Sequence, residues 1–98
     1  MTITKNQNQN ALTIALEGRL DTMTAPELEK EFQESLGGAD TLTMDLSQLE
    51  YVSSAGLRVL LSAHKQMSRK GGMKIIHVNE IVREVFDVTG FSDILTIE

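Results

Sequence analysis

Some residue types are missing from this sequence of 98 residues or are rare in it. It has no cysteine, which excludes disulfide scaffolds, cysteine-based zinc sites and a cysteine nucleophile. It has no tryptophan, and aromatic residues make up 4%, so large interface anchors and stacking platforms are few. No segment approaches the roughly 18 consecutive apolar residues of a membrane span, and the N-terminus lacks the pattern of a signal peptide. We therefore expect a cytoplasmic protein that does not act at a membrane.

Basic residues are also fewer than acidic residues. Lysine and arginine together number 9 against 14 acidic residues, which gives a net charge of −5, and the cations are scattered along the chain. Such a chain has no long-range attraction to phosphate backbones, which argues against direct binding to nucleic acid. Hydrophobic residues at 41% and charged residues at 23% are typical of a soluble globular chain. The length predicts a single domain over residues 1–98.

Hydrophobic periodicity predicts an alternation of strands and helices. Apolar residues at every second position indicate strands, and those at every third or fourth position indicate helices. The order favours an α/β fold with a mixed, largely parallel β-sheet that begins with an antiparallel hairpin and packs against helices. Thr24 to Glu27 has the form of a capping box at the start of the first helix. The predicted strands lie near Ile3 and at 12–16, 42–46, 73–78 and 94–97, and the predicted helices start at Thr24, Ser53–Ser54 and Asn79 and end at Gly37, Gly71 and Gly90.

The sequence carries no familiar catalytic or cofactor motif. Neither a phosphate-binding P-loop, a dinucleotide-binding glycine pattern nor a G-x-S-x-G nucleophile elbow is present. His64 and His77 are far apart in the sequence and lack a partner at metal-ligand spacing, so packing roles are favoured for both. We therefore predict a protein that is not an enzyme and that has no cofactor and no metal site.

A pair of serines lies where the third predicted strand meets the second helix. In α/β sheets, function collects where the ends of strands meet the starts of helices. Ser53 or Ser54 is expected to cap the helix by accepting a backbone N–H. The same free N–H groups and dipole would also tolerate a phosphoryl group on a serine here. Gly56 has no side chain and would leave room for the active site of another protein to approach the backbone. A role in close packing of the helix is equally favoured for this glycine.

These residues belong to longer stretches that resemble a known family. The central motif is fairly specific, and the flanking segments occur in the right order over nearly the whole chain. The stretches DLS at 45–47, YVSSAGLRVLL at 51–61, GRLD at 18–21 and VFDVTGF at 85–91 resemble the STAS domain of bacterial anti-sigma factor antagonists.

The resemblance implies a STAS-like fold and a switch in bacterial signalling that regulates transcription. In this family a serine at the start of the second helix is phosphorylated by the anti-sigma factor, which is itself a serine kinase, and Ser54 matches that position. The unphosphorylated antagonist binds the kinase and frees the sigma factor. The phosphorylated antagonist releases the kinase, and a metal-dependent serine phosphatase restores the unphosphorylated form. The implied contacts with the partner are made by Ser53, Ala55, Gly56, Leu57 and Asp21.

Two departures from the family pattern leave alternatives open. Antagonists often carry aspartate before the phosphoserine and serine or threonine after it, whereas this chain has Ser53 and Ala55. Ser53 is therefore the alternative acceptor. Asp21 and Asp45 are expected to line the same edge of the sheet in supporting roles. A STAS subunit with a structural role in a lipid-transporter complex or a signalling scaffold is the alternative function, and a small enzyme or nucleotide-binding protein is the least favoured class.

Overall fold

The strands of the protein form one four-stranded sheet. The computed structural model describes residues 1–98. The strands β1 (Thr2–Asn8), β2 (Ala11–Leu20), β3 (Thr41–Val52) and β4 (Met73–Ile76) lie side by side in chain order. β1 and β2 form an antiparallel hairpin, whereas β3 runs parallel to both β2 and β4. The predicted α/β fold with a mixed sheet and an N-terminal hairpin is confirmed.

Three α-helices connect or follow the parallel strands. They are α1 (Ala25–Ser35), α2 (Ser54–Met67) and α3 (Glu80–Thr89), and short 3-10 helices cover Leu36–Gly38 and Phe91–Asp93. Parallel neighbours need a crossover connection, which α1 supplies between β2 and β3 and α2 supplies between β3 and β4. Asn79 caps α3 as predicted, because its side chain accepts a hydrogen bond from the backbone N–H of Val82 at 2.9 Å. None of the helices combines the length and apolar character needed to cross a membrane.

One hydrophobic core joins the helices to a single face of the sheet. It contains 24 buried residues, all of them apolar, and no polar or charged residue is fully buried. Residues along the central strands alternate between core and surface, because successive side chains of a strand point to opposite faces of the sheet. In β2 the buried residues are Leu12, Ile14 and Leu16, and in β3 they are Leu42, Met44 and Leu46. In α2 Leu60 is fully buried while Leu61 is partly exposed, because neighbours on a helix point about 100° apart.

The predicted last strand at 94–97 is wrong. Residues Phe91–Asp93 form a 3-10 helix, and the segment after this helix makes only an isolated bridge between Ile97 and Ile75 of β4. Ile75 donates its N–H to the carbonyl of Thr96 at 2.8 Å and accepts a bond from Glu98 at 2.9 Å. The N–H groups of Ile94 and Leu95 donate to the carbonyl of Phe91, at 3.0 and 2.8 Å, so these two residues belong to the turn and only the end of the chain reaches the sheet.

The capping box predicted at the start of α1 is also wrong, although the helix begins where expected. Thr24 has a helical backbone and its side chain does not cap the helix. Its hydroxyl donates to the carbonyl of Arg19 at 2.7 Å and accepts from the N–H of Asp21 at 2.8 Å. The Asp21 carboxylate instead accepts from the N–H groups of Met23 and Thr24, at 3.0 and 3.1 Å. Asp21 therefore organises the turn that leads into α1.

Candidate functional site at the start of α2

Ser53 is the N-cap of α2. β3 ends at Val52, which is paired with Leu20 at the end of β2, and the N–H of Ser53 donates to the Leu20 carbonyl at 2.9 Å. This bond holds Ser53 in an extended conformation, and its Oγ accepts the N–H of Gly56 at 3.3 Å. Ser53 is partly buried. The hydroxyl of Ser53 is thus engaged in holding the first turn of the helix.

Ser54 is the first residue of α2 and is exposed to solvent. Because Ser53 already caps the helix, the hydroxyl of Ser54 is not needed for that role. The first turn of α2 contains no acidic residue. The structure therefore separates two neighbouring serines into one that stabilises the helix and one that is accessible.

Gly56 and Leu57 are buried, so the open approach surface predicted at Gly56 is not present. A Cβ atom added to Gly56 would lie 2.6 Å from Cγ of Leu20 and 3.1 Å from the Leu20 carbonyl oxygen. Gly56 is needed for the close approach of α2 to the end of β2, which agrees with the packing role that was the alternative prediction for this glycine. Leu57 is only 4% exposed and belongs to the core. Of the predicted partner contacts on α2, Ala55 remains partly exposed beside the two serines.

Asp21 lies next to this site. β2 ends at Leu20 and β3 at Val52, and because these two residues are paired, Asp21 and Ser53 leave the sheet at the same edge. The N–H of Thr24 is the main reason that the pKa of Asp21 lies below its usual value; burial opposes this, and Met23 and Arg19 add to the lowering. Ionised Asp21 therefore stabilises the β2–α1 turn through its bonds to Met23 and Thr24.

Asp45 does not lie at the same place, and the prediction that the two acids line one edge is wrong. Asp45 is seven residues before Val52 in β3 and pairs with Ile76 at the end of β4. Partial burial works to raise the pKa of Asp45, but the N–H and hydroxyl of Ser47 and the ring of His77 outweigh it, so the pKa is lowered. The Asp45 carboxylate is 3.2 Å from Nδ1 of His77. These residues form a second polar cluster, separate from Ser54.

Two exposed residues near the site were not singled out by the sequence reasoning. Met23, in the turn held by Asp21, is 83% exposed. Arg58 is exposed on α2, four residues after Ser54. Spacing alone could have found Arg58, because residues four apart share a helix face. Met23 could have been noticed as an apolar residue in a segment that breaks the strand alternation.

Known proteins share this sequence pattern and this fold. The sequence model of the family described as "Mlab, STAS domain" matches residues 3–96. The chain belongs to the STAS domain family. This STAS chain is 34% identical over 93 residues to the anti-sigma-B factor antagonist of Bacillus subtilis, and the match covers 93% of this chain and 84% of that protein.

Solved structures place the STAS chain in the same fold. The crystal structure of an anti-sigma factor antagonist from Mycobacterium paratuberculosis matches with a TM-score of 0.88 at 22% identity, covering 98% of this chain and 83% of that one. The structure of the Bacillus cell fate determinant SpoIIAA in the phosphorylated form matches with a TM-score of 0.75 at 16% identity, covering 99% and 91%. The STAS resemblance is thus confirmed, and the roles of Ser53, Ser54 and their neighbours stay predictions.

Proposed function

We propose that this STAS protein is a cytoplasmic anti-sigma factor antagonist whose partner binding is switched by phosphorylation of Ser54. When unphosphorylated, it binds an anti-sigma factor that is a serine kinase and so frees the sigma factor. Phosphorylation releases it, and a metal-dependent serine phosphatase restores the binding form. One observation carries the proposal: Ser54 is the exposed first residue of α2, while Ser53 is occupied as its cap. The names of the relatives support the antagonist role.

The geometry favours Ser54 over Ser53 as the acceptor. Phosphoryl transfer requires that the attacking hydroxyl reach the γ-phosphate in line. The Ser53 hydroxyl is partly buried and accepts a bond from the Gly56 N–H, so its modification would disturb the cap. Loss of an N-cap serine costs about 0.5–2 kcal/mol of stability. Ser54 can be modified without this loss.

A phosphate on Ser54 is compatible with the fold beneath it. It would add about −1.5 to −2 charge at the positive end of the helix dipole, where anions are favourable. No acidic residue occupies the first turn of α2 to repel it. The modification therefore changes the charge of the surface through which a partner docks and leaves the core unchanged.

The docking surface that we propose consists of Ser53, Ser54 and Ala55 together with the β2–α1 turn. Asp21 fixes that turn through its bonds to Met23 and Thr24. The buried Gly56 and Leu57 shape the surface from below, because they set how closely α2 approaches β2. Met23 adds an exposed apolar side chain at the edge of the surface.

Phosphate mapping in the bacterium that encodes the protein tests the acceptor. A tagged chain is recovered from those cells and its phosphorylated residues are identified by mass spectrometry, in wild type and in Ser54→Ala, Ser53→Ala and Ser62→Ala. Ser62 is the matched control, since it is another exposed serine of α2. We expect phosphate on Ser54 that only Ser54→Ala abolishes. Phosphate on Ser53 would show that Ser53 is the acceptor. Phosphate on neither serine would favour the alternative function, a structural STAS subunit of a transporter complex or scaffold.

Binding measurements test the switch itself. Ser54→Asp places a negative charge at the site, and Ser54→Asn is the uncharged control of similar size. Affinity for the purified anti-sigma factor from the same organism should fall about tenfold in Ser54→Asp, equivalent to about 1.4 kcal/mol, and stay near wild type in Ser54→Asn. Equal affinities for the two variants would contradict charge as the basis of the switch.

A further inference from the structure

We propose that Arg58 forms an ion pair with the phosphate of phosphorylated Ser54 and is the positioning residue for that phosphoryl group. This role depends on the proposed function only in the choice of Ser54 as the acceptor. Arg58 takes part in none of the predicted partner contacts and belongs to no catalytic or cofactor motif.

The helix geometry brings the two side chains together. Ser54 and Arg58 are exposed, and α2 is continuous from Ser54 to Met67. Residues four apart on a helix share one face, with about 5–6 Å between their Cβ atoms. Helical side chains lean toward the N-terminus, so the guanidinium of Arg58 is within reach of the turn that contains Ser54. An anion on the N-terminal side of a cation is also the more favourable order for such a pair.

Arg58 has no counter-ion in the unphosphorylated protein. It belongs to none of the ion pairs in the structure, although the chain carries a net charge of −5. α2 contains no aspartate or glutamate at all. The positions one helical turn from Arg58 are Ser54, Ala55, Leu61 and Ser62, and none of them is ionised.

The other arginine near this end of the sheet is already engaged. The Nε atom of Arg19 lies 3.8 Å from the Asp21 carboxylate, and its guanidinium stacks on Tyr51 at 4.4 Å from the ring centroid. Arg19 and Asp21 are thus the charged groups of the neighbouring turn, and they offset one another. Arg58 is the cation of the site that is free to meet a new anion.

The pair gives the switch a second component. A guanidinium can hold two oxygens of a phosphate at once, which fixes the phosphoryl group against the helix. Phosphorylation then adds negative charge to the docking surface and also neutralises the free cation Arg58 that lies beside it. A partner meets an unpaired arginine only before phosphorylation.

A titration of the phosphate tests this pair without any kinase. Phosphoserine is incorporated at position 54 of the full-length chain during synthesis, and its phosphorus NMR shift is followed against pH. A nearby guanidinium favours the dianion and lowers the second pKa of the phosphate. We expect that pKa to be about 0.15–0.7 units lower in wild type than in Arg58→Gln, the range for an exposed pair. The second pKa of the phosphate in Arg58→Lys should lie between the values of wild type and Arg58→Gln, because lysine keeps the charge but lacks the planar guanidinium group.

The matched control is Arg69→Gln, which removes an exposed arginine just beyond α2 and should leave the phosphate pKa at its wild-type value. Far-ultraviolet circular dichroism confirms that Arg58→Gln is folded, as expected because glutamine and arginine have similar helix propensities. A phosphate pKa that is equal in wild type and Arg58→Gln would overturn the role of Arg58. So would a rise of that pKa in Arg19→Gln alone.

The outcome of the phosphate titration is independent of the outcome of phosphate mapping in cells. Phosphate on Ser54 in cells combined with a pKa that ignores Arg58 would leave the antagonist function standing and remove the ion pair. Absence of phosphate in cells would remove the proposed switch, while a pKa that responds to Arg58 would still demonstrate the pair in the phosphorylated chain.

Discussion

Replacement of Gly56 by alanine is expected to destabilise the protein, although alanine is the better helix former. An alanine in place of glycine inside a helix normally stabilises it by about 0.5–1 kcal/mol. At this position the new Cβ would lie 2.6 Å from Cγ of Leu20 and 3.1 Å from the Leu20 carbonyl oxygen. That carbonyl also accepts the N–H of Ser53, so it is held in place. The steric conflict therefore involves atoms that cannot move freely.

The expected loss results from these opposing effects. Overpacking of a well-filled core costs about 1–3 kcal/mol. After the gain in helix propensity is subtracted, the free energy of unfolding should fall by about 1 kcal/mol. For a domain of this size such a loss lowers Tm by roughly 4–8 °C. Gly56→Leu, whose side chain is much larger, should not give a folded protein.

Thermal and urea unfolding followed by circular dichroism measure the effect. Gly37→Ala is the matched control, since no atom lies within 4 Å of the added Cβ and the same change should be neutral or mildly stabilising there. In the double variant with Leu20→Ala, the additional cost of Gly56→Ala should shrink, because the conflicting side chain is gone. A Gly56→Ala protein as stable as wild type would refute the close-packing argument.

The remaining predictions concern helix capping, the core and pH. Ser53→Ala should lower the free energy of unfolding by about 1 kcal/mol through loss of the cap, whereas Ser54→Ala should leave it near wild type in urea titrations. Leu60→Ala should cost about 2–5 kcal/mol, and Leu61→Ala much less, because only Leu60 is fully buried. Equal losses within either pair would contradict the structure. The lowered pKa of Asp45 contributes stability above its unfolded pKa of about 3.9, and that stability is lost as pH falls through the folded pKa. Asp45→Asn should therefore lose stability less steeply below about pH 4, and identical pH profiles would show that Asp45 is not linked to folding.

Local sequence patterns were sufficient for the order of the elements from β1 to α3 and for the location of the candidate site. Period-two alternation in 12–16 and 42–46 identifies the central strands, since one face of each is buried. Asn79 and Gly90 mark the ends of α3 because capping depends on residues adjacent in sequence. Ser53–Ser54 likewise lie at the junction of β3 and α2, where the helical spacing of apolar residues begins.

Long-range contacts decided what the patterns could not. The pairing of Leu20 with Val52 buries Gly56 against β2, and no local signal reports a contact between residues so distant in sequence. β3 also continues to Val52 instead of ending near residue 46, so Asp45 lies within that strand, away from Asp21, which follows the end of β2.

The sequence by itself determined the α/β order of the elements from β1 to α3 and the pair of serines at the start of α2, because each depends on residues near one another in the chain. It also indicated the family, through several such short stretches that occur in the right order. Only the tertiary structure distinguished the two serines. Ser53 becomes the cap because its N–H is held by the Leu20 carbonyl of the neighbouring strand, which orients its Oγ toward the Gly56 N–H. Ser54 is left exposed as a consequence of that contact between β2 and the end of β3.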